Sequence, residues 1–278
     1  MSPTLTYVYG LVRSARRPSL RGVSPGMPGG GEVRVLEVPA TASSHRRTAA
    51  PSHRDWLIVS SVPEREYGEA ALDRGLPRID WVGARAVAHE AVVEHFLSAP
   101  AVLPMQLFAL FKTDERAIEH VTGDRRRIGG ILSRIDGKVE WGVRLTWDER
   151  AARETVEKQH EGRGKRSGPG GRSGAASGVS YLARKRDLLD VNRVQLTAAR
   201  AEADRLYKTM TAAASDARRR TATEQAAPGS RLLLDAAFLV PTSRAAAFRA
   251  MAQRHAKKLA GSGLVVSLTG PWPPYNFI

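Results

Sequence analysis

The chain has 278 residues, no cysteine and a formal charge of +15. Its length suits two domains of about 150 residues, and the lack of thiols excludes disulfides, thiolate metal sites and cysteine nucleophiles. The charge makes an acidic partner the first expectation, whether nucleic acid, anionic membrane or acidic protein. No run of about 18 uncharged apolar residues and no basic-then-apolar leader occurs, so a soluble intracellular chain is expected.

Leu5–Val12 is rich in β-branched and aromatic residues and reads as a first strand. Ser24–Gly31, with two Pro and four Gly, reads as a loop. Glu32–Val38 alternates with period two and ends at Pro39, giving a second strand, and Trp56–Ser60 is a short buried third. The polar, basic stretch Thr41–Arg54 between them reads as a long connection. Trp81, Ala84, Ala88, Val92 and Phe96 recur at helical spacing until Pro100. Ala101–Phe111 is a continuous apolar run, most simply one strand. Thr113-Asp114-Glu115 then caps a helix carrying Ala117, Ile118 and Val121 and continuing towards Ile128, Ile131 and Leu132, with an interruption expected at Gly129-Gly130.

Val139, Trp141, Val143, Leu145 and Trp147 alternate with polar or small residues and predict a strand with one covered face. Residues 162–178 are rich in Gly and Ser and read as a flexible basic linker. Beyond it, Leu196, Ala199, Ala203, Leu206, Met210, Ala213 and Ala217 alternate steps of three and four, a heptad seam. A helix over 181–217 would be roughly 55 Å long, and it is expected to protrude or to pack along a partner. Leu232–Val240, Ser243–Leu259 and Leu264–Leu268 read as strand, helix and strand. The C-terminal half is therefore β-α-β-α-β, which favours a small open sheet with helices on one face.

No catalytic constellation emerges. Gly22-Val23-Ser24-Pro25-Gly26 matches a nucleophile elbow as a string, but Pro25 has no N–H for an oxyanion hole. The seven histidines never pair at i, i+4, and His89-Glu90 is the one acid–base pair worth locating. No metal or cofactor is expected. Residues 162–186 carry seven Lys and Arg and no acid, which keeps open a nucleic-acid-binding adaptor, although Tyr181 is the only ring there for base stacking.

Six segments in order resemble the gas vesicle protein F/L family of assembly and minor shell proteins. They are Tyr7-Val8-Tyr9-Gly10-Leu11-Val12; Ala88-His89-Glu90-Ala91-Val92-Val93-Glu94 followed by Val102-Leu103-Pro104-Met105; Gly137-Lys138-Val139-Glu140-Trp141-Gly142-Val143; Ser180-Tyr181-Leu182; Asp235-Ala236-Ala237-Phe238-Leu239-Val240-Pro241; and Leu268-Thr269-Gly270-Pro271-Trp272-Pro273-Pro274-Tyr275-Asn276-Phe277. After Met105 the family commonly has R-F-G-T, whereas this chain has Gln106-Leu107-Phe108-Ala109, losing a charge and a glycine.

The resemblance implies an α+β protein of two domains, residues 1–135 and 136–278. The second would be a modified ferredoxin-like sheet with a long, partly coiled-coil helix and a tail at 271–278. It further implies a non-enzymatic, cytoplasmic, gas-vesicle-associated protein that binds the major shell protein and other assembly proteins, with no membrane or specific nucleic-acid partner. Leu196, Leu206 and Met210 of the seam, and Trp272, Pro273, Pro274, Tyr275 and Phe277 of the tail, are the residues expected to bind a partner or to dock on the chain itself. Trp141 and Trp147 are expected in the core.

Overall fold

The computed structural model describes residues 3–39, 53–151, 178–221 and 229–278, with 178–192 described in backbone only. Most of the Thr41–Arg54 connection, nearly all of the 162–178 loop and the side chains of Ser180-Tyr181-Leu182 lie outside the described residues. So do the basic side chains of 162–186. The chain divides into two compact units, Met1–Glu140 with Pro271–Ile278, and Trp141–Gly270.

The first unit is built on strands β1 (Thr4–Ser14), β2 (Arg34–Glu37), β3 (Arg54–Pro63), β4 (Ala101–Pro104) and β5 (Leu110–Phe111). The sheet order is β2-β3-β1-β4, with β5 also on β1, and every pairing is antiparallel. β1 is central and carries a bulge against β3 between Val8 and Gly10. The bulge inserts Tyr9 as the extra residue and resets the alternation. Tyr7, Tyr9 and Val12 face one core, while Val8 and Leu11 face the other. Gly10 is needed beside it, because a Cβ there would stand 2.8 Å from the Leu103 carbonyl oxygen of β4.

Helices cover both faces. Two short helices, α1 (Glu64–Tyr67) and α2 (Glu69–Gly75), precede α3 (Ile79–His95). Tyr67, Val92, Val93 and Phe96 join Trp56, Ile58 and the two strand tyrosines in one core. On the other face, α4 (Asp114–Gly123) and α5 (Arg125–Ile135) contribute Ala117, Val121, Ile128, Leu132 and Ile135 against Val8, Leu57 and Val59. Thr113 caps α4 as expected, its hydroxyl accepting from the Arg116 N–H at 3.3 Å.

Two expectations are corrected here. Ala101–Phe111 is two strands joined by a turn, in which Phe108 takes a left-handed φ of 67°. The α4–α5 break falls at Asp124, and α5 runs unbroken through Gly129-Gly130.

The second unit holds β6 (Lys138–Asp148), the 36-residue helix α6 (Gly178–Ala213), β7 (Asp216–Arg219), β8 (Ser230–Pro241), α7 (Ala245–Leu259) and β9 (Leu264–Trp272), the ends of β6 and β9 belonging to the first unit. The sheet order is β7-β8-β6-β9. β7 is a further correction: Ala217 lies in a strand paired antiparallel with Ala217's partner Phe238, and the helix ends at Ala213. Trp141, Val143, Leu145 and Trp147 are buried on one face of β6, as their alternation predicts. Phe238 of β8 meets both Tyr207 of α6, at 5.8 Å between ring centroids, and Phe248 of α7, at 5.6 Å, so both helices cover the same face. The opposite face is mixed, with Ala237 and Leu239 buried beside a charged cluster. There Asp235, 8% exposed, accepts from Arg144 Nε at 3.2 Å and Arg220 Nε at 2.8 Å.

Candidate functional site

The C-terminal segment is held by hydrogen bonds and burial within the first unit. It leaves β9, passes through Pro273 and Pro274, and ends in a single 3-10 turn at Tyr275–Phe277. The stiff Pro-Pro pair presets the approach of that turn at small entropic cost. Pro273, Pro274 and Phe277 are buried, with Phe277 fully so, and Trp272 and Tyr275 are half-buried. Asn276 donates its backbone N–H to Glu140 Oε2 at 2.8 Å and its side-chain amide to Oε1 at 2.5 Å. Arg134 of α5 donates to the Phe277 carbonyl. Burial raises the Tyr275 phenol, and the nearby carboxylates of Glu90, Glu94 and Glu140 add to that rise. The segment is thus seated on its own chain.

Glu140, Arg134 and Asn276 were not singled out by sequence reasoning. Glu140 occupies the polar phase of β6 yet is only 3% exposed. The one available signal was its place in the G-K-x-E-W string, the same run that supplies Trp141.

The seam on α6 divides differently. Leu206 and Met210 are fully buried within the second unit, together with Ala199 and Ala203, while Leu196 is half-buried and the neighbouring Val194 is 69% exposed. The last turns of the helix therefore cover the protein's own sheet.

His89 and Glu90 do not form a catalytic pair. The His89 imidazole bonds through Nδ1 to the Tyr7 hydroxyl at 2.6 Å, in the core where Tyr9 meets Ser60 Oγ at 2.9 Å and accepts from the Met27 N–H at 2.8 Å. Burial lowers the His89 pKa to about 4, slightly opposed by the Met105 backbone. The ring is neutral at pH 7 and acts as packing with a polar tip. Burial likewise drives the Tyr7 phenol above its ordinary value. Glu90 carries a raised pKa from burial and the neighbouring Glu94. Ser24 sits in an irregular loop with no strand leading into it, which removes the structural setting of a nucleophile elbow. Among the described residues no three His, Asp or Glu side chains gather as metal ligands, and no helix is long and apolar enough to cross a membrane.

The comparisons with known proteins point to one family. The family model for "Gas vesicle synthesis protein GvpL/GvpF" matches residues 5–278. Gas vesicle protein L from Streptomyces sp. (strain CB03234) is 29% identical over 229 residues, covering 81% of this chain and 80% of that protein. Two crystal structures share the fold. GvpF from Anabaena sp. PCC7120 has a TM-score of 0.60 at 14% identity, covering 99% of this chain and 95% of its own. GvpF from Microcystis aeruginosa has a TM-score of 0.58 at 14% identity, covering 98% of each chain. With a family model spanning all but the first four residues, the chain belongs to the GvpL/GvpF family of gas vesicle synthesis proteins.

Proposed function

We infer that this protein takes part in gas vesicle assembly as a non-enzymatic binding protein, holding the major shell protein and other assembly proteins while the vesicle wall forms. The observation that carries the reading is the family match over residues 5–278. A shell subunit rich in exposed β edges is prone to pair with the wrong neighbour, and a protein that covers such edges keeps it competent for assembly. The described residues fit a binding role better than catalysis: the tyrosines and histidine of the first core are used in packing, and Asp235 is taken up by two arginines.

In this reading the second unit is a ferredoxin-like domain. Its β-α-β-β-α-β element order and the strand order β7-β8-β6-β9 support that assignment. The tail serves as a docking element for its own chain, and partner binding falls to other surfaces. The protein works in the cytoplasm on nascent or mature vesicles.

Co-purification tests the reading. Tagged full-length chain is expected to retain the major shell protein through a high-salt wash, since an apolar interface resists screening. If other vesicle assembly proteins retain the shell protein under the same conditions and this chain does not, the shell-binding role is wrong.

A further inference from the structure

One basic cleft of the first unit has no part in the features described so far. It is a space of about 320 Å³ between α2 and the beginning of α3, lined by Arg65, Arg74, Arg78, Arg85, Glu66 and Trp81. Its floor depends on Gly75, where an added Cβ would stand 2.7 Å from the Trp81 indole. Trp81 therefore lies flat on bare backbone. One helical turn later, Arg85 places its guanidinium 3.7 Å from the Trp81 ring centroid and 5.1 Å from that of Tyr67.

Arg85 is 8% exposed. It donates from Nη1 to the Trp81 carbonyl at 3.3 Å, and its Nε is buried without a partner. Two other cations of the cleft have acids beside them: Arg65 pairs with Glu66 at 3.4 Å and Arg78 with Asp80 at 3.1 Å. Among the described residues neither Arg74 nor Arg85 has a carboxylate partner. A buried cation held by two rings, one carbonyl and the Tyr67 phenol still has no carboxylate counter-charge, which an anion entering the cleft supplies.

The neighbouring residues narrow the choice of anion. Leu76 and Ile79, 52% and 90% exposed, directly follow the lining residues Gly75 and Arg78 in sequence. Apolar groups of that size offer nothing to a free phosphate. The rings do not suit stacked bases either, because Trp81 already packs on Phe108 at 5.4 Å and under Arg85. An acidic side chain flanked by apolar ones suits both the guanidinium groups and the exposed Leu76 and Ile79 of the same segment.

We propose that the cleft lined by Arg74, Arg78 and Arg85 is a docking site for a carboxylate on an acidic, apolar-flanked segment of a protein partner. The site goes beyond the vesicle reading and does not depend on it, because it is defined by the chemistry of the segment alone.

The test uses full-length protein and a fluorescein-labelled peptide alternating Glu and Leu, read by anisotropy. The peptide is expected to bind in a salt-sensitive manner, and its Gln-for-Glu version to bind at least about tenfold more weakly, the loss of one charged hydrogen bond. Arg85→Gln is expected to reduce affinity by a similar factor. Because Arg85 also packs on two rings, the exposed variants Arg74→Ser and Arg78→Ser provide a control free of folding effects. Each is expected to lower affinity several-fold, with unchanged thermal unfolding. Equal binding of the Gln peptide, or unaltered affinity in both surface variants, overturns the proposal. Displacement of the peptide by inorganic phosphate at equal anion concentration also overturns it, assigning the cleft to phosphate.

Discussion

Glu140 and Asn276, 136 positions apart in sequence, are joined by two hydrogen bonds that fix the last turn of the chain against the first unit. Both bonds end on one carboxylate, one from backbone and one from side chain, so the pair sets the orientation of the turn as well as its position. Replacing Glu140 with Ala leaves two donors without their acceptor and is expected to cost about 2–3 kcal/mol. Asn276→Ala keeps the backbone bond and is expected to cost about half that. Chemical denaturation of the two variants provides the check.

Phe277 is fully buried at the end of the same turn. Its truncation to Ala removes a large ring from a packed site, for which about 3–5 kcal/mol is expected. Deleting Pro271–Ile278 combines the two losses and should lower the melting temperature more than either substitution. If the deletion leaves thermal stability intact, the segment is not a structural anchor and is available to a partner.

Phe108 tests a different kind of cost. Its φ of 67° lies where a side chain is strained, yet the ring stacks on Trp81. Glycine is the residue that adopts this φ without strain. Phe108→Gly is expected to relieve strain while losing the stack, and Phe108→Ala to lose the stack while keeping the strain. The glycine variant should therefore be the more stable of the two by about 1 kcal/mol in urea unfolding.

His89 predicts a pH dependence. Its folded pKa is about 4 against an ordinary 6.5, so the unfolded chain binds the proton first as pH falls. Its neutral, buried form contributes fully above pH 6.5 and progressively less down to about pH 4, with a total of about 3 kcal/mol over that window. Asp114, held low chiefly by its bond to Arg34, loses its contribution only further down the scale. His89→Gln should flatten the stability profile between pH 6.5 and 4 and leave the steeper acid limb in place. An unchanged profile would show that His89 is not the group responsible.

The sequence carried local patterns well and long-range pairings poorly. Alternation located β2 and β6 and helical spacing located α3, while β1, β3 and β8 were legible as apolar, β-branched or aromatic runs because their central residues are buried on both faces. Ala101–Phe111 misled because its turn is made without Gly or Asn: Phe108 accepts the left-handed backbone in exchange for Trp81. Ala217 misled because a small residue fits a helix seam and a strand equally well, and the strand's other residues, Asp216, Arg218 and Arg219, are polar. The tail residues were legible as rings and prolines in need of cover. Their acceptor, Glu140, was not, since a carboxylate in the polar phase of a strand normally faces solvent. Arg85 was hidden for the same reason, its burial depending on Gly75 and Tyr67 from other elements.

The basic charge also changes meaning once located. Gly162–Arg186 contributes seven cations, and Arg13–Arg54 contributes eight Arg against two Glu, so most of the +15 belongs to these two stretches. The arginines around the α2–α3 cleft are a separate group, gathered about the Trp81 ring.

Vesicle formation itself tests the central claim most directly. Cells that make gas vesicles and lack this chain should show few or none by electron microscopy, and expression of the full-length chain should restore them. Normal vesicle numbers in its absence, with the rest of the assembly set intact, would contradict an assembly role.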